Sequence, residues 1–280
     1  MTLASDIMPW RTILYKVFFF SISIEILVQS LVLLPKDERQ FFMAYLTHWG
    51  LIVSILYQCL AVLCVVHRFI VSTAIQSPWW QNNNNTSYSS SHTYTLPTRL
   101  ARWTWGVYSL VLPMELIITI LFWGLDYTKG DPITYGLCMK HGGIAFLLWL
   151  DGSCINAIPI RIRQYIFLQT TVILYVSWSI VFAFSNIPNP NEDDDDYIYN
   201  TLRWVNQPEQ SAILAAMCGF ILSPLVFAFC WFSSLRSSPV MCSLRWDGSR
   251  RCLYQGHTRL VPFDLEMTSS VSKTTNDGSH

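Results

Sequence analysis

The pattern of apolar and polar residues divides this chain into apolar runs of about 20 residues separated by polar segments. A helix of that length crosses the hydrocarbon core of a bilayer. None of them alternates apolar and polar residues as a membrane β-strand does, so closed helices are the expected way to satisfy the backbone in lipid. The pattern therefore predicts an all-α, polytopic membrane bundle of six transmembrane helices, at residues 12–34, 42–66, 104–125, 135–158, 165–187 and 211–235.

Composition supports the membrane assignment. The chain is 52% hydrophobic and only 13% charged, whereas a soluble domain carries about 25% charged residues. Its formal net charge of +0 offers no basic excess for nucleic acid, so we expect the lipid bilayer as its environment and no nucleic-acid partner. We expect an integral, multi-pass protein of the plasma membrane or the endoplasmic reticulum.

The distribution of basic residues predicts the orientation. Most of the 18 Lys and Arg residues fall on the side that holds the N-terminus, the second and fourth loops and the C-terminal segment. By the positive-inside rule, both termini are then cytoplasmic. Residues 1–235 form the predicted transmembrane domain, interrupted by an Asn/Ser/Thr-rich loop at 76–96 that we expect to be disordered. Residues 236–280 form a cytoplasmic tail that we expect to be largely disordered.

Cysteine spacing gives no sign of a metal site. No C-x-x-C pair occurs, so neither a structural zinc site nor a disulfide framework is indicated, and we expect no metal and no cofactor. Cys242 and Cys252 flank a basic stretch beside the last span, where reversible palmitoylation and an unmodified thiol are both compatible with the sequence.

Two polar residues stand out within the apolar runs. Thr47 and His141 lie six and seven residues into the second and fourth spans, which both descend from the outer face, so at about 1.5 Å per residue they share a depth of roughly 10 Å. A hydroxyl becomes a nucleophile when a base takes its proton, and imidazole has a suitable pKa for that role. The pair is therefore a candidate catalytic site. The alternative is that Thr47 and His141 are packing residues that hydrogen-bond neighbouring helices.

Several further residues are candidates for supporting this site. Ser54 and Gln58 share the helical face of Thr47 and should point into the bundle, where bridging helices is their simplest role. Gly142 and Gly143 leave room for a close approach beside His141, and His48 is a possible hydrogen-bond donor next to Thr47. The intramembrane acids should also face the bundle interior; they are Glu25, Glu115 and Asp151.

Asp151 requires a separate interpretation. It lies ten residues beyond His141, or roughly 15 Å along a helix, so it is poorly placed to orient that imidazole. We expect it to tie helices together with Asn156 and the end of the span that carries Arg161 and Arg163.

Four segments resemble a known family: AYLTHWGLIV, LPMELIITILFWG, KHGGIAFLLWLD and INAIPIRIRQYIF. They look like the rolling stone family of multi-pass membrane proteins, which is similar to the androgen-induced membrane hydrolases. That resemblance implies a six-span fold and hydrolysis of fatty-acid esters of hydroxy fatty acids, with Thr47 of the Tyr-Leu-Thr motif as nucleophile and His141 as base. A lipid ester is then the substrate.

Two other functions remain open. Rolling stone itself is associated with myoblast fusion, so a non-enzymatic role in cell adhesion or fusion is the main alternative, with Thr47 and His141 as interhelical contacts. A weaker alternative is a proton or solute pathway along Glu25, Glu115, Asp151 and His141. If replacing Thr47 abolished lipid-ester hydrolysis, that result would favour the hydrolase over both of these alternatives.

Overall fold

The computed structural model describes residues 9–32, 39–75, 98–128, 130, 132–156, 158–185, 198–199 and 201–237. This part of the chain is helical and forms six helical runs, which we label α1 to α6. Short 3-10 turns at Arg39–Ala44 and Ile162–Gln164 precede α2 and α5. The bounds are α1 Pro9–Val32, α2 Leu46–Ile75, α3 Thr98–Leu121 with a π-helical end Phe122–Asp126, α4 residues 135–155, α5 Tyr165–Phe184, and α6 residues 208–237.

Two of these runs alternate between α and π geometry. In α4 the order is α Tyr135–Cys138, π Met139–Gly143, α Ile144–Trp149 and π Leu150–Ile155. In α6 the π turn Cys218–Leu222 separates Pro208–Met217 from Ser223–Ser237. Pro224 comes soon after that wide turn, where the missing proline N–H costs the fewest helical hydrogen bonds.

Five of the described helices are long and apolar enough to cross a membrane: Trp10–Val32, Leu46–Ile70, Arg99–Asp126, Ile162–Phe184 and Pro208–Leu235. The fourth predicted span, at 135–158, is not among them. Its helical run ends at Ile155 and carries Lys140, His141 and Asp151, which lower its apolar character. The structure thus supports a membrane-type helical bundle with five such helices in its described part, and α4 differs from them in composition.

Helix α3 lies at the centre of the bundle. It packs against α2, α4, α5 and α6, while α1 packs mainly on α2. The main core joins buried residues of all these helices, including Ile26, Tyr57, Leu112 and Phe227. Large side chains on the outward faces are exposed, among them Phe220 and Leu225 on α6. Outward apolar faces around a packed interior are expected where lipid replaces water as the solvent.

A buried ion pair fixes α4 to α1. Lys16 on α1 donates to both carboxylate oxygens of Asp151, at 2.6 and 2.5 Å, and neither side chain is exposed to solvent. Tyr57 of α2 donates to the same carboxylate at 2.6 Å, and Asn156 donates to Asp151 Oδ1 at 2.8 Å. The expectation that Asp151 ties helices together with Asn156 is confirmed.

The expectation that the end carrying Arg161 and Arg163 takes part in this contact was wrong, because the cation that pairs with Asp151 is Lys16 of α1. The guanidinium carbon Cζ of Arg161 instead lies 4.3 Å from the centroid of the Trp105 ring.

The inward direction of the other polar groups follows the helical period. Thr47, Ser54 and Gln58 are all buried, which confirms that their shared face points into the bundle. Glu115 is buried too, and it accepts a hydrogen bond from Ser54 at 2.9 Å. The same expectation for Glu25 was wrong. Glu25 is exposed and pairs with Gln29 of its own helix at 3.0 Å, because α1 lies at the periphery and has an outward face.

The described residues all belong to one compact unit within residues 1–244, and residues 245–280 are not among the described residues. The predicted disordered loop at 76–96 also lies outside the described residues. So do Cys242 and Cys252 and almost all of the predicted tail at 236–280, of which the structure describes the end of α6 at Ser237.

Candidate functional site

A largely apolar pocket opens between α3, α5 and α6 and reaches the start of α2. Its empty space is about 950 Å³, a volume that includes the open solvent at its mouth. Its apolar wall includes Met114, Ile118, Leu168, Val172 and Leu214. An apolar lining of this kind is suited to an acyl chain.

Thr47, at the first turn of α2, is one of the polar residues that line the pocket and is the second residue of that helix. Its hydroxyl lies within hydrogen-bonding reach of Tyr199, a residue between α5 and α6. The backbone N–H of Leu46 reaches the hydroxyls of Tyr199 and Tyr175, since the first N–H groups of a helix have no partner within it. The Thr47 hydroxyl and the Leu46 N–H therefore both have Tyr199 as a neighbour.

Tyr199 keeps its proton at neutral pH. Burial raises the pKa of its phenol to about 12, and the nearby carboxylate of Asp126 also raises it, against the lowering effect of hydrogen bonds from Thr47 and Tyr175. Asp126 ends α3 and lines the same pocket. The protonated phenol is thus a hydrogen-bond donor next to Thr47.

His141 lies behind one wall of this pocket. Its imidazole stacks on the ring of Phe122, with 3.5 Å between the ring centroids and 8° between the planes. Phe122 lines the pocket, whereas His141 is not among the described residues that do. The side chain of His141 is buried, and its Nδ1 has no hydrogen-bond partner among the described residues.

The backbone at His141 explains this position. His141 sits in the π turn Met139–Gly143 with φ −111° and ψ 21°, outside helical geometry. The turn frees its carbonyl oxygen, which accepts a hydrogen bond from Trp123 Nε1 at 2.9 Å. A π turn within an α-helix often marks a functional site, and here it directs the imidazole towards α3.

His48 forms a second imidazole site next to Thr47. It stacks on Phe42 with 3.8 Å between ring centroids, and its Nδ1 lies 2.5 Å from the carbonyl oxygen of Phe42. Its Nε2 is buried and has no partner in the described part of the chain. The rings of His48 and His141 are close enough to interact electrostatically. Two buried ring nitrogens are therefore open to a proton or a ligand.

The remaining predicted site residues lie outside the pocket wall of the described structure. Ser54 and Glu115 bond to each other, and Gln58 is buried nearby on α2. Asp151 belongs to the ion pair with Lys16. A methyl group on Gly142 would make ordinary contacts with Trp123 and Thr119 at 3.8 and 3.9 Å, and one on Gly143 would meet the flexible side chain of Met139. Among the described residues, Thr47 lines the pocket and His141 does not, whereas His48, next to Thr47, interacts electrostatically with His141.

Sequence reasoning missed the pocket residues contributed from elsewhere in the chain. Tyr199 and Asp126 lie outside the regular part of any span, and nothing in their spacing indicates that they meet Thr47. Gly50 was also missed: a side chain there would lie 2.6 Å from Glu115 Oε1, so glycine allows Glu115 to approach α2. The sequence feature that could have pointed to these two residues is the aromatic and acidic composition of the segments at the ends of α3 and α5.

The described bundle, with five apolar helices of membrane-spanning length, has the architecture of a multi-pass integral membrane protein. Comparison with known protein families, with curated proteins and with solved structures found no match for this chain.

Proposed function

We propose that this protein is an intramembrane hydrolase of lipid esters, with Thr47 as nucleophile and His141 as general base. The observation that carries the proposal is the position of the Thr47 hydroxyl on the wall of an apolar pocket, next to the phenol of Tyr199, which in turn accepts from the N–H of Leu46. An apolar wall suits acyl chains, and donors around a hydroxyl suit the oxyanion that ester cleavage produces.

In the proposed reaction the Thr47 oxygen attacks the carbonyl carbon of the ester, and its proton passes to Nδ1 of His141. The carbonyl oxygen becomes an oxyanion that accepts hydrogen bonds from the donors near Thr47. The bond to the leaving alcohol then breaks, and the alcohol oxygen takes the proton from His141, leaving the acyl group on Thr47. A water molecule attacks this acyl group with the same base and releases the fatty acid.

Phe122 separates the two catalytic groups in the resting state. Its ring forms pocket wall on one side and stacks on His141 on the other. We propose that an acyl chain entering the pocket turns Phe122 aside, so that the unpartnered Nδ1 of His141 faces Thr47. Catalytic hydrogen bonds are often incomplete until substrate is bound.

The test is labelling of the detergent-solubilised protein with a fluorophosphonate probe. The expected result is a probe adduct on the peptide that contains Thr47, absent in Thr47→Ala, together with a fall of lipid-ester hydrolysis of at least about 100-fold in Thr47→Ala and in His141→Ala. Full activity of Thr47→Ala would refute the proposal. In that case the hydroxyl is an interhelical contact, and the non-enzymatic role in adhesion or fusion becomes the better explanation.

Two matched variants separate chemistry from folding. Thr119→Ala removes a hydroxyl that donates to the backbone carbonyl oxygen of Glu115 at 2.8 Å and does not line the pocket in the described structure. His67→Ala removes an imidazole near the far end of α2, 19 residues beyond His48 and roughly 28 Å from it along the helix. Both controls should retain activity.

We also propose that α4 crosses the membrane, which gives six spans with both termini in the cytoplasm. Asp151 of α4 is neutralised by Lys16 and His141 is buried, so its polar side chains face protein as intramembrane ionisable groups require. An acceptor sequon inserted between α5 and α6 should be glycosylated, while the native sequons at Asn84 and Asn85 should not. Glycosylation of Asn84 or Asn85 would reverse the topology.

A further inference from the structure

The charge of the pocket bears on the kind of ester that it accepts. Among the described residues that line it, Asp126 is the charged one, and Lys, Arg and His are absent from the wall. The other polar groups there are neutral hydroxyls, including those of Thr47, Tyr175 and Tyr199. The pocket thus offers hydrogen bonds but no cation to an incoming lipid.

Asp126 lines the pocket at the end of α3, where it is exposed. Its carboxylate acts electrostatically on Tyr199, which is itself within hydrogen-bonding reach of Thr47. A lipid whose ester carbonyl sits at Thr47 therefore has its polar portion near a negative charge. A second carboxylate or a phosphate brought there would meet a like charge, which opposes binding.

We propose that the pocket selects lipid esters with an uncharged polar end, and that Asp126 excludes esters that carry a free carboxylate or a phosphate. This inference rests on the proposed lipid-ester site. It names neutral acyl esters as the substrate class, in place of the carboxylate-bearing fatty-acid esters of hydroxy fatty acids that the resemblance implies. It names Asp126 as a residue that sets specificity through charge.

The experiment compares two esters of the same hydroxy fatty acid, one with its carboxylic acid free and the other with that acid as a methyl ester. Each competes with a pyrene-labelled neutral acyl ester for Thr47→Ala protein in uncharged detergent, at about pH 8 where the free acid is ionised. We expect the free acid to need a concentration about ten times higher than the methyl ester, or more, to displace half of the probe. Asp126→Asn should reduce this ratio of displacing concentrations several-fold.

Glu209→Gln is the matched control, because Glu209 is exposed in the first turn of α6 and lies outside the pocket wall of the described structure. It should leave the ratio as in the parent protein. Equal or tighter binding of the free acid overturns the inference, and so does a methyl-ester preference that Asp126→Asn leaves unchanged. Because binding is measured on Thr47→Ala protein, the result stands apart from whether Thr47 catalyses hydrolysis.

Discussion

Lys16 and Asp151 form an ion pair in the interior of the bundle, with Nζ and Oδ2 2.5 Å apart and both side chains fully buried. The two residues come from α1 and α4, so the pair joins the peripheral helix to the run that also carries His141. Tyr57 and Asn156 satisfy the remaining capacity of the carboxylate. Such a pair stabilises a fold only as a unit, because either charge left alone would be buried without compensation.

Replacing one partner of this pair should be costly. Lys16→Met leaves the Asp151 carboxylate unpaired, and we expect a loss of about 3 to 5 kcal/mol in the free energy of unfolding. Thermal unfolding in detergent, followed by tryptophan fluorescence, measures it. The double variant Lys16→Met/Asp151→Asn should recover a large part of the loss.

Glu25→Gln provides the control for this experiment, since Glu25 is an exposed carboxylate of α1 paired with Gln29. Its effect should be small. If Lys16→Met unfolds at the same temperature as Glu25→Gln, the ion pair does not hold α1 to α4.

Gly152 allows a close approach between α4 and α3. A Cβ atom at this position would overlap ring atoms and the hydroxyl of Tyr108, which is itself fully buried. Gly152→Ala should therefore destabilise the protein by at least about 1 to 3 kcal/mol, the usual cost of overpacking a core. Gly106→Ala is the matched control, because no atom lies within 4 Å of its added methyl group. An unchanged melting temperature for Gly152→Ala would contradict the packing described for Tyr108.

Glu115 presents the opposite case of a buried carboxylate whose described hydrogen-bond partner is a neutral group, Ser54 at 2.9 Å. Glu115→Gln keeps an acceptor for the Ser54 hydroxyl and removes a charge that is costly to bury, so it should leave stability unchanged or raise it. Ser54→Ala removes the donor and should lower stability by about 1 to 3 kcal/mol. Detergent melting curves of both variants give the comparison. A strongly destabilised Glu115→Gln would indicate a charged partner for Glu115.

The sequence predicted local features of this fold well because they depend on period and length. The start of the fifth span at Tyr165 agrees with the structure, and the helical period correctly placed Thr47, Ser54 and Gln58 on an inward face. Contacts between residues far apart in the chain could not be predicted from the sequence pattern. Lys16 lies within the first predicted span, and its partner Asp151 is 135 residues away, so nothing in the local pattern joins them.

In the candidate site, too, local features were predictable from the sequence and contacts between distant segments were not. Depth along a helix placed Thr47 and His141 at a similar level, but the direction of His141 depends on the π turn Met139–Gly143. A π turn adds a residue to the helix and rotates the later residues by about 100° relative to a regular α-helix, so a helical wheel drawn through it fails. Tyr199 reaches Thr47 from outside the spans, where no period applies.

Tyr199 gives the sharpest test of the arrangement around Thr47. Its protonated hydroxyl lies within hydrogen-bonding reach of Thr47, and in the proposed reaction it donates to the oxyanion. Tyr199→Phe should then lower kcat for a neutral lipid ester by about 100- to 1,000-fold, the usual effect of losing one such donor, with little change in KM.

Tyr165→Phe is the matched control for Tyr199→Phe, because the Tyr165 hydroxyl bonds to Gln169 and Ser223 at 2.7 and 3.1 Å, away from Thr47. It should leave kcat near that of the parent protein. Melting curves of both variants show whether a lost phenol merely loosens the bundle. A Tyr199→Phe protein with unchanged kcat would remove Tyr199 from the reaction and leave Leu46 N–H as the donor to be tested, whereas a change confined to KM would make Tyr199 a binding residue.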